Sequence, residues 1–228
     1  MLVGGVHKLR HSRLQERSTA ELIHTFEEKG VEWIFEKNLT YVSLLKRLIA
    51  LDVASIEGMD FDDPAEGTAK QWAPVFEYSN DTWRLIIYND MCIVAYWQLV
   101  SLSPSAISRL KRGILRDSRI RISDVRKLEE PGDHSLYFIF IGRHPDFETK
   151  FARTLFVKLM ESILNFKQKI EDNGVKIKEV FANGQTEEGV LLCRHLGMAQ
   201  IGEISQGGPL FHAPYSELNW GAVRIYRS

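Results

Sequence analysis

Leu136-Tyr137-Phe138-Ile139-Phe140-Ile141 is the most β-prone run in the chain, and it places apolar side chains on both of its faces. A half-solvated strand alternates apolar with polar residues, so a strand apolar on both sides belongs in the middle of a sheet covered by two layers. The downstream sequence supplies such a layer. Phe151 to Ile170 carries Leu155, Leu159, Ile163, Phe166 and Ile170 at helical spacing, which predicts a long amphipathic helix closed by Asn173-Gly174. Val175 to Ala182 reads as a strand and Thr186 to Leu196 as a helix ended by Gly197. Ala199 to Glu203 reads as a further strand before the turn at Gly207-Gly208.

Upstream, Trp83, Leu85 and Ile87 alternate, Asn89-Asp90 makes a turn, and Cys92 to Leu99 forms a second apolar run, which together predict a hairpin. Pro104 and Ser105 open a short helix that ends at Gly113. Strands alternating with helices from Thr82 onward imply an α/β (α+β) protein with a mixed sheet and crossover connections. Ahead of this, Ser18 and Glu21 make a capping-box pattern, and Leu22, Ile23 and Phe26 follow at helical spacing up to Gly30. Trp33, Ile34, Tyr41, Leu44, Leu45, Leu48 and Ile49 trace a second helical face. Residues 1–50 therefore read as a helical N-terminal extension and 51–228 as the α/β domain. The acidic stretch Met59 to Gly67, with Asp60, Asp62, Asp63 and Glu66, lacks the ligand spacing of a calcium loop and reads as a helix-capping surface loop.

Composition narrows the function classes. A chain that is 44% hydrophobic and 26% charged folds as an ordinary globular protein, and a net charge of -1 gives no general attraction to nucleic acid or anionic membrane. With no 18-residue apolar run, no apolar leader and two unpaired cysteines, Cys92 and Cys193, the expectation is a cytoplasmic protein without a disulfide. Cys92 is expected in a buried strand. The seven histidines are scattered, so no metal site is expected, and no Gly-x-Ser-x-Gly, Walker loop or dinucleotide fingerprint occurs. Hydrolase, nucleotidase and dehydrogenase readings fall away.

The order hairpin, central strand, long helix, strand, short helix, strand resembles the GNAT N-acyltransferase superfamily. Ile93 to Leu99 followed by Leu102-Ser103-Pro104 resembles that family's apolar strand and Leu-Ser-Pro turn. Ile139 to Pro145, continuing through Phe147 to Leu155, resembles the strand, bend and helix start of its acyl-CoA motif, and Gly189 to Met198 resembles its short helix ending in Leu-Gly-Phe. The resemblance covers about residues 50 to 205. It implies a mostly antiparallel central sheet with flanking helices, acetyl-CoA as cosubstrate, and an amine acceptor that is a small molecule or a peptide; a homodimer is compatible with it.

The family binds the cofactor diphosphate on N–H groups at a helix N-terminus, where an Arg/Gln-x-x-Gly-x-Gly/Ala loop lets the phosphates approach the backbone. This chain has Phe147-Glu148-Thr149-Lys150-Phe151-Ala152 instead: Ala152 keeps the small final residue, and Lys150 offers a cation in place of the first glycine. The resemblance assigns the pantetheine arm to the main chain of Phe140, Ile141 and Gly142. It also places Cys193 where the family has a tyrosine that acts as general acid. A thiol of ordinary pKa, about 8.5, matches a thiolate leaving group, whereas the plainer reading is a small core residue. Glu77, Asp81 and Tyr96 are candidate bases, beside the plainer reading of two surface carboxylates and a sheet anchor. His144 is a candidate cofactor contact, and His212, Tyr215 and Trp220 read as a lid or partner-contact strand. Three readings stand at this point: an acyl-CoA-dependent N-acyltransferase, a non-catalytic GNAT-fold binding protein, and an acyl-homoserine-lactone-type synthase.

Overall fold

The computed structural model describes residues 25–59, 67–145, 147, 149–204 and 207–221. In chain order its elements are β1 (Phe26–Lys29), α1 (Val31–Glu36), α2 (Tyr41–Ser55), α3 (Ala69–Tyr78), β2 (Trp83–Tyr88), β3 (Cys92–Leu102), α4 (Pro104–Lys111), β4 (Val125–Arg126), β5 (His134–Arg143), α5 (Ala152–Asp172), β6 (Ile177–Asn183), α6 (Glu187–His195), β7 (Ala199–Glu203) and β8 (Pro209–Pro214). The strands form one mixed sheet in the order β1-β2-β3-β5-β6-β8-β7, with β4 added to β3. Among the described strands only β5 and β6 run parallel, joined through the crossover helix α5; every other pair is antiparallel.

Both faces of β5 are covered, as its doubly apolar sequence requires. On one face Tyr137, Phe181, Leu85 and Val100 pack with Leu44 and Leu48 of α2 and Phe76 of α3. On the other, Leu136, Phe138, Trp97 and Val180 pack with Leu155, Leu159, Ile163 and Phe166 of α5. Burying a large apolar side chain contributes roughly 1.5–3 kcal/mol, so these two layers hold the sheet from both sides. The β2–β3 turn takes Asn89 and Asp90 through positive φ, 48° and 56°, the backbone of a tight hairpin turn that Asn and Asp tolerate.

Several expectations need correction. The first predicted helix lies mostly outside the described residues, but its last residue, Phe26, begins β1, which pairs with β2 from Phe26↔Tyr88 to Lys29↔Leu85. There, sheet hydrogen bonds override the helical spacing. The second helical face is two helices, because Asn38 at φ 50° breaks the run between α1 and α2. Helix α3 has no counterpart among the sequence expectations, since Pro74 interrupts its pattern; the Thr68–Gln71 capping box starts it. Of the tail expected as a lid or partner-contact strand, His212 lies on strand β8, inserted between β6 and β7 and paired to Phe181 and Ala199, while Tyr215 and Trp220 follow that strand. Cys92 is exposed, because it stands at the open start of β3. Helix α2 runs through residue 50 and packs on β3 and β5. Among the described residues, no helix is long and apolar enough to cross a membrane, and no cluster of His, Cys, Asp or Glu has the makings of a metal site.

Candidate functional site

The site begins with a bulge. Across β3 and β5, Gln98 pairs with Phe140 and Leu99 with Phe138, so Ile139 is an extra residue in β5. A bulge bends its strand, shifts the side-chain alternation and can end pairing with a neighbour. The last two happen here. The parallel ladder with β6 stops at Phe138↔Ala182, while β5 continues to Arg143 along β3. Beyond that point β6 stays with β8, through Ala182↔Phe211 and Asn183↔Leu210. Among the described residues, the 139–143 main chain has no strand partner on that side. At the tip, Arg143 still pairs with Ala95, and the Ser55 hydroxyl of α2 donates to the Arg143 carbonyl at 3.1 Å.

The shifted alternation turns both Ile139 and Phe140 toward α2 and α3, where they form one wall of an open cleft. Gly142 allows this: a Cβ there would lie 2.5 Å from the Phe140 ring, which folds back over the strand. The ring stacks on Tyr96 at 4.4 Å with an interplanar angle of 13°. Period-two geometry puts Tyr96 and Gln98 of β3 on the same face, and both line the cleft. The Tyr96 hydroxyl donates to Asp52 Oδ1 at 2.6 Å, a short, charge-assisted hydrogen bond from the strand to α2. Gln98 is 3% exposed, and its Nε2 has no hydrogen-bond partner among the described residues. Gln185, just after β6, completes the polar lining. At the end of β6, both amide atoms of Asn183 are buried and lack partners among the described residues.

The opposite face of the sheet is different in kind. There α5, α6 and the ends of β5 and β6 enclose a second cleft lined by apolar groups that include Phe138, Ile141, Met160, Ala182 and Cys193. Burial pushes the Cys193 thiol up to about 12. That lies well above the ordinary thiol range that a match to a thiolate leaving group assumed. Glu77 is exposed on α3 and does not line either cleft. Asp81 lies outside both as well; burial, and then the charge of Glu129, hold its carboxyl above the usual range. His144 donates its main-chain N–H to Val94 O at 2.8 Å, closing the end of β5 on β3.

Ala152 opens α5, and Phe151 caps it with no side-chain hydrogen bond and with no acidic residue in the first turn. The 3-10 turn Thr149–Phe151 leads directly into the helix, whose dipole has its positive end there. Phe147 and Phe151 pack there with Phe26 and Tyr88 at ring separations of 5.0–6.2 Å. Lys150 Nζ sits 4.8 Å from the Phe151 ring centre. For the cofactor the resemblance implies, the fit is good along the arm, where the freed main chain of Phe140, Ile141 and Gly142 can complete a ladder. At the diphosphate end Lys150 supplies a cation, while aromatic side chains take the place of glycines.

Of the residues the sequence reading named, Tyr96 and Phe140 line the cleft; Asp52, Gln98 and Gln185, which line it too, were not named as candidates. Signals for two of these existed. Asp52 is a carboxylate beside the apolar stripe Leu45, Leu48 and Ile49 of α2, and Gln98 is a polar residue inside an apolar strand run. The acidic residues 60–66 lie outside the described residues, and their neighbours Met59 and Gly67 line the cleft.

No family model matches the chain, and no curated protein matches it in sequence. Solved structures do resemble it. The C-terminal condensation domain of Ebony in complex with beta-alanyl-dopamine aligns at TM-score 0.48 and 7% identity, over 83% of this chain and 99% of that one. FeeM, an N-acyl amino acid synthase from uncultured soil microbes, aligns at TM-score 0.45 and 10% identity, over 89% and 95%. An acetyltransferase from Thermus thermophilus aligns at TM-score 0.44 and 12% identity, over 83% and 97%. The mixed sheet with its single described parallel pair, the crossover helix between those two strands and the gap at their ends make the fold GNAT-like.

Proposed function

We propose that this chain is an N-acyltransferase that passes an acyl group, acetyl in the simplest case, from a thioester seated between β5 and β6 to an amine held in the Asp52–Tyr96 cleft. The observation that carries this reading is the 139–143 main chain, released from β6 by the Ile139 bulge. Main-chain polar groups inside a sheet are normally paired, so a freed stretch in the middle of one suits a ligand whose own amides complete the ladder. The polar cleft on one side of that gap supports the same reading.

When bound, acyl-CoA would supply the thioester carbonyl that the amine attacks. Phe140, Ile141 and Gly142 would hold its arm through main-chain hydrogen bonds. Lys150 would meet the diphosphate as a cation, and Phe151 and Ala152 would meet it with their N–H groups, more weakly than a glycine loop. Asp52 attracts the ammonium form of the acceptor and takes its proton as general base. Tyr96 hydrogen-bonds to Asp52 and stacks on Phe140; in this reading it protonates the leaving thiolate and recovers a proton from Asp52. That is the acid role first assigned to Cys193. Glu77 takes no part in this scheme.

A second reading, a non-catalytic binding protein, is favoured by the aromatic packing at the start of α5. Calorimetric titration with acetyl-CoA, followed by a thiol-release assay over a panel of amines, separates the two. Binding with amine-dependent thiol release is the expected result. No binding at millimolar acetyl-CoA, with no thiol released, would leave the binding protein.

A further inference from the structure

The cleft on the α5–α6 face takes no part in the scheme above, yet it lies where the gap closes. Phe138 and Ala182, the last pair of the parallel β5–β6 ladder, both line it, and so does Ile141 from the released stretch. Met160, Ile163 and Leu164 of α5 and Leu192 and Leu196 of α6 supply further walls. Every described lining side chain is aliphatic, aromatic or sulfur-bearing. Such a space offers water few partners, whereas an apolar group that enters it gains dispersion contacts with the walls. Volume then limits the group. The cavity holds about 30 Å³, close to one water molecule's share of the liquid, which is room for one or two carbon atoms and not for a long chain.

We infer that this cavity seats the tail of the donor's acyl group, and that the preferred donor is a short unbranched acyl thioester, propionyl or butyryl, in place of acetyl. The inference rests on the transferase reading for the position of the thioester. In that reading the arm enters beside Lys150, at the Arg143 end of β5, and runs back along Gly142, Ile141 and Phe140. Its acyl end then arrives where the ladder closes at Phe138↔Ala182, and carbons beyond the acetyl methyl enter the cavity. The transfer itself is unchanged: the amine nitrogen bonds to the carbonyl carbon, the C–S bond breaks, and the thiol leaves with the proton the amine gives up. Each added methylene that is buried favours binding by about fourfold until the space is full. A carboxylate at the end of the chain would be desolvated there with no cation among the described lining residues.

The test uses the full chain and five donors: acetyl-, propionyl-, butyryl-, octanoyl- and malonyl-CoA. Binding is read by calorimetry with no amine present, and transfer by thiol release over the panel of amines. Butyryl-CoA is expected to exceed acetyl-CoA about tenfold in affinity, with propionyl-CoA between them. Octanoyl-CoA and malonyl-CoA should each fall at least about tenfold below butyryl-CoA. Ala182→Val, which adds two methyl groups to the lining, should bring the butyryl to acetyl ratio to about one. Met160→Ala, which removes part of the α5 wall, should narrow the octanoyl deficit, and melting temperatures confirm that each variant is folded. Acetyl-, octanoyl- or malonyl-CoA bound as tightly as butyryl-CoA, or ratios unmoved in both variants, would overturn the inference; acetyl transfer in that case would keep the transferase reading. A butyryl preference in binding without thiol release would keep the cavity assignment and remove the transferase reading. No binding of any donor would overturn both.

Discussion

The two faces of the central sheet each carry a cleft beside the same gap, and each contains a group that can hold a proton. On the α2–α3 face, Tyr96 donates to Asp52 at 2.6 Å, next to an unpartnered amide donor from Gln98. On the α5–α6 face, Cys193 lies among apolar side chains, and burial raises its thiol to about 12. Sequence motif alone favours the cysteine, since it stands where the resembling family has its acid. Environment favours the tyrosine, because a proton donor works through its neighbours: a carboxylate to trade with, and an opening to the reacting atoms.

That contrast breaks most sharply at Asp52. Asp52→Asn should lower kcat by roughly 10²- to 10⁴-fold, the usual contribution of a positioned acid or base, with the far-ultraviolet circular dichroism unchanged. If Asp52→Asn keeps full turnover, the two faces are equally inert. Gly142→Val comes next. Its side chain would collide with the Phe140 ring, where even a Cβ lies 2.5 Å away, and so disturb the Tyr96 stack. An increase in KM for the donor of about tenfold is expected by steady-state kinetics, with a smaller loss in kcat.

Cys193→Ala should do the reverse of Asp52→Asn: kcat within about twofold of the parent, and a stability loss of about 1 kcal/mol in denaturant unfolding from the small cavity left behind. Thiol alkylation at about pH 8 adds a direct readout of the two environments. The exposed Cys92 should react in the native protein and the buried Cys193 only after unfolding. A sharp fall in turnover for Cys193→Ala would restore the thiol to the mechanism.

The smallest effect concerns a polar cluster that is fully paired, in contrast to Gln98. Burial works to raise the Glu179 carboxyl, but hydrogen bonds from Lys111, Ser135 and His212, each at 2.9 Å, outweigh it and hold the group below its ordinary value. A depressed carboxylate adds stability above its unfolded-state pKa and loses it as pH falls through the folded one. Thermal unfolding should therefore show a loss of melting temperature below about pH 4.5 that is shallower in Glu179→Gln. Turnover at neutral pH should stay near that of the parent, because this cluster is not part of the cleft. An equal slope in both proteins would count against the network.

Much of the fold was legible because periodicity is a local property. The runs around Leu136, Leu155 and Val180 show their period and burial within a short stretch of chain, and the Asn89-Asp90 turn states its own backbone preference. Where reading failed, a non-local force decided. Phe26 joined a sheet edge formed by residues near position 88, and β8 reached between β6 and β7 from a tail with little periodic signal. The site was less legible than the fold. Tyr96 was named as a candidate, but its hydrogen-bond partner Asp52 is 44 residues away on a helix read only as core, and nothing local marks the two as neighbours.

By itself the sequence determined a sheet of mixed direction with helices on both faces, together with the two thiols, the missing glycine loop and the absence of a metal pattern. Tertiary structure alone decided that one extra residue, Ile139, would part β5 from β6, and that Asp52, Tyr96 and Gln98 would meet beside the opening. The physical reason is that register and convergence are properties of several strands and helices packed together. A slip of one residue between neighbouring strands changes which side chains face which cleft, and no single segment records that choice.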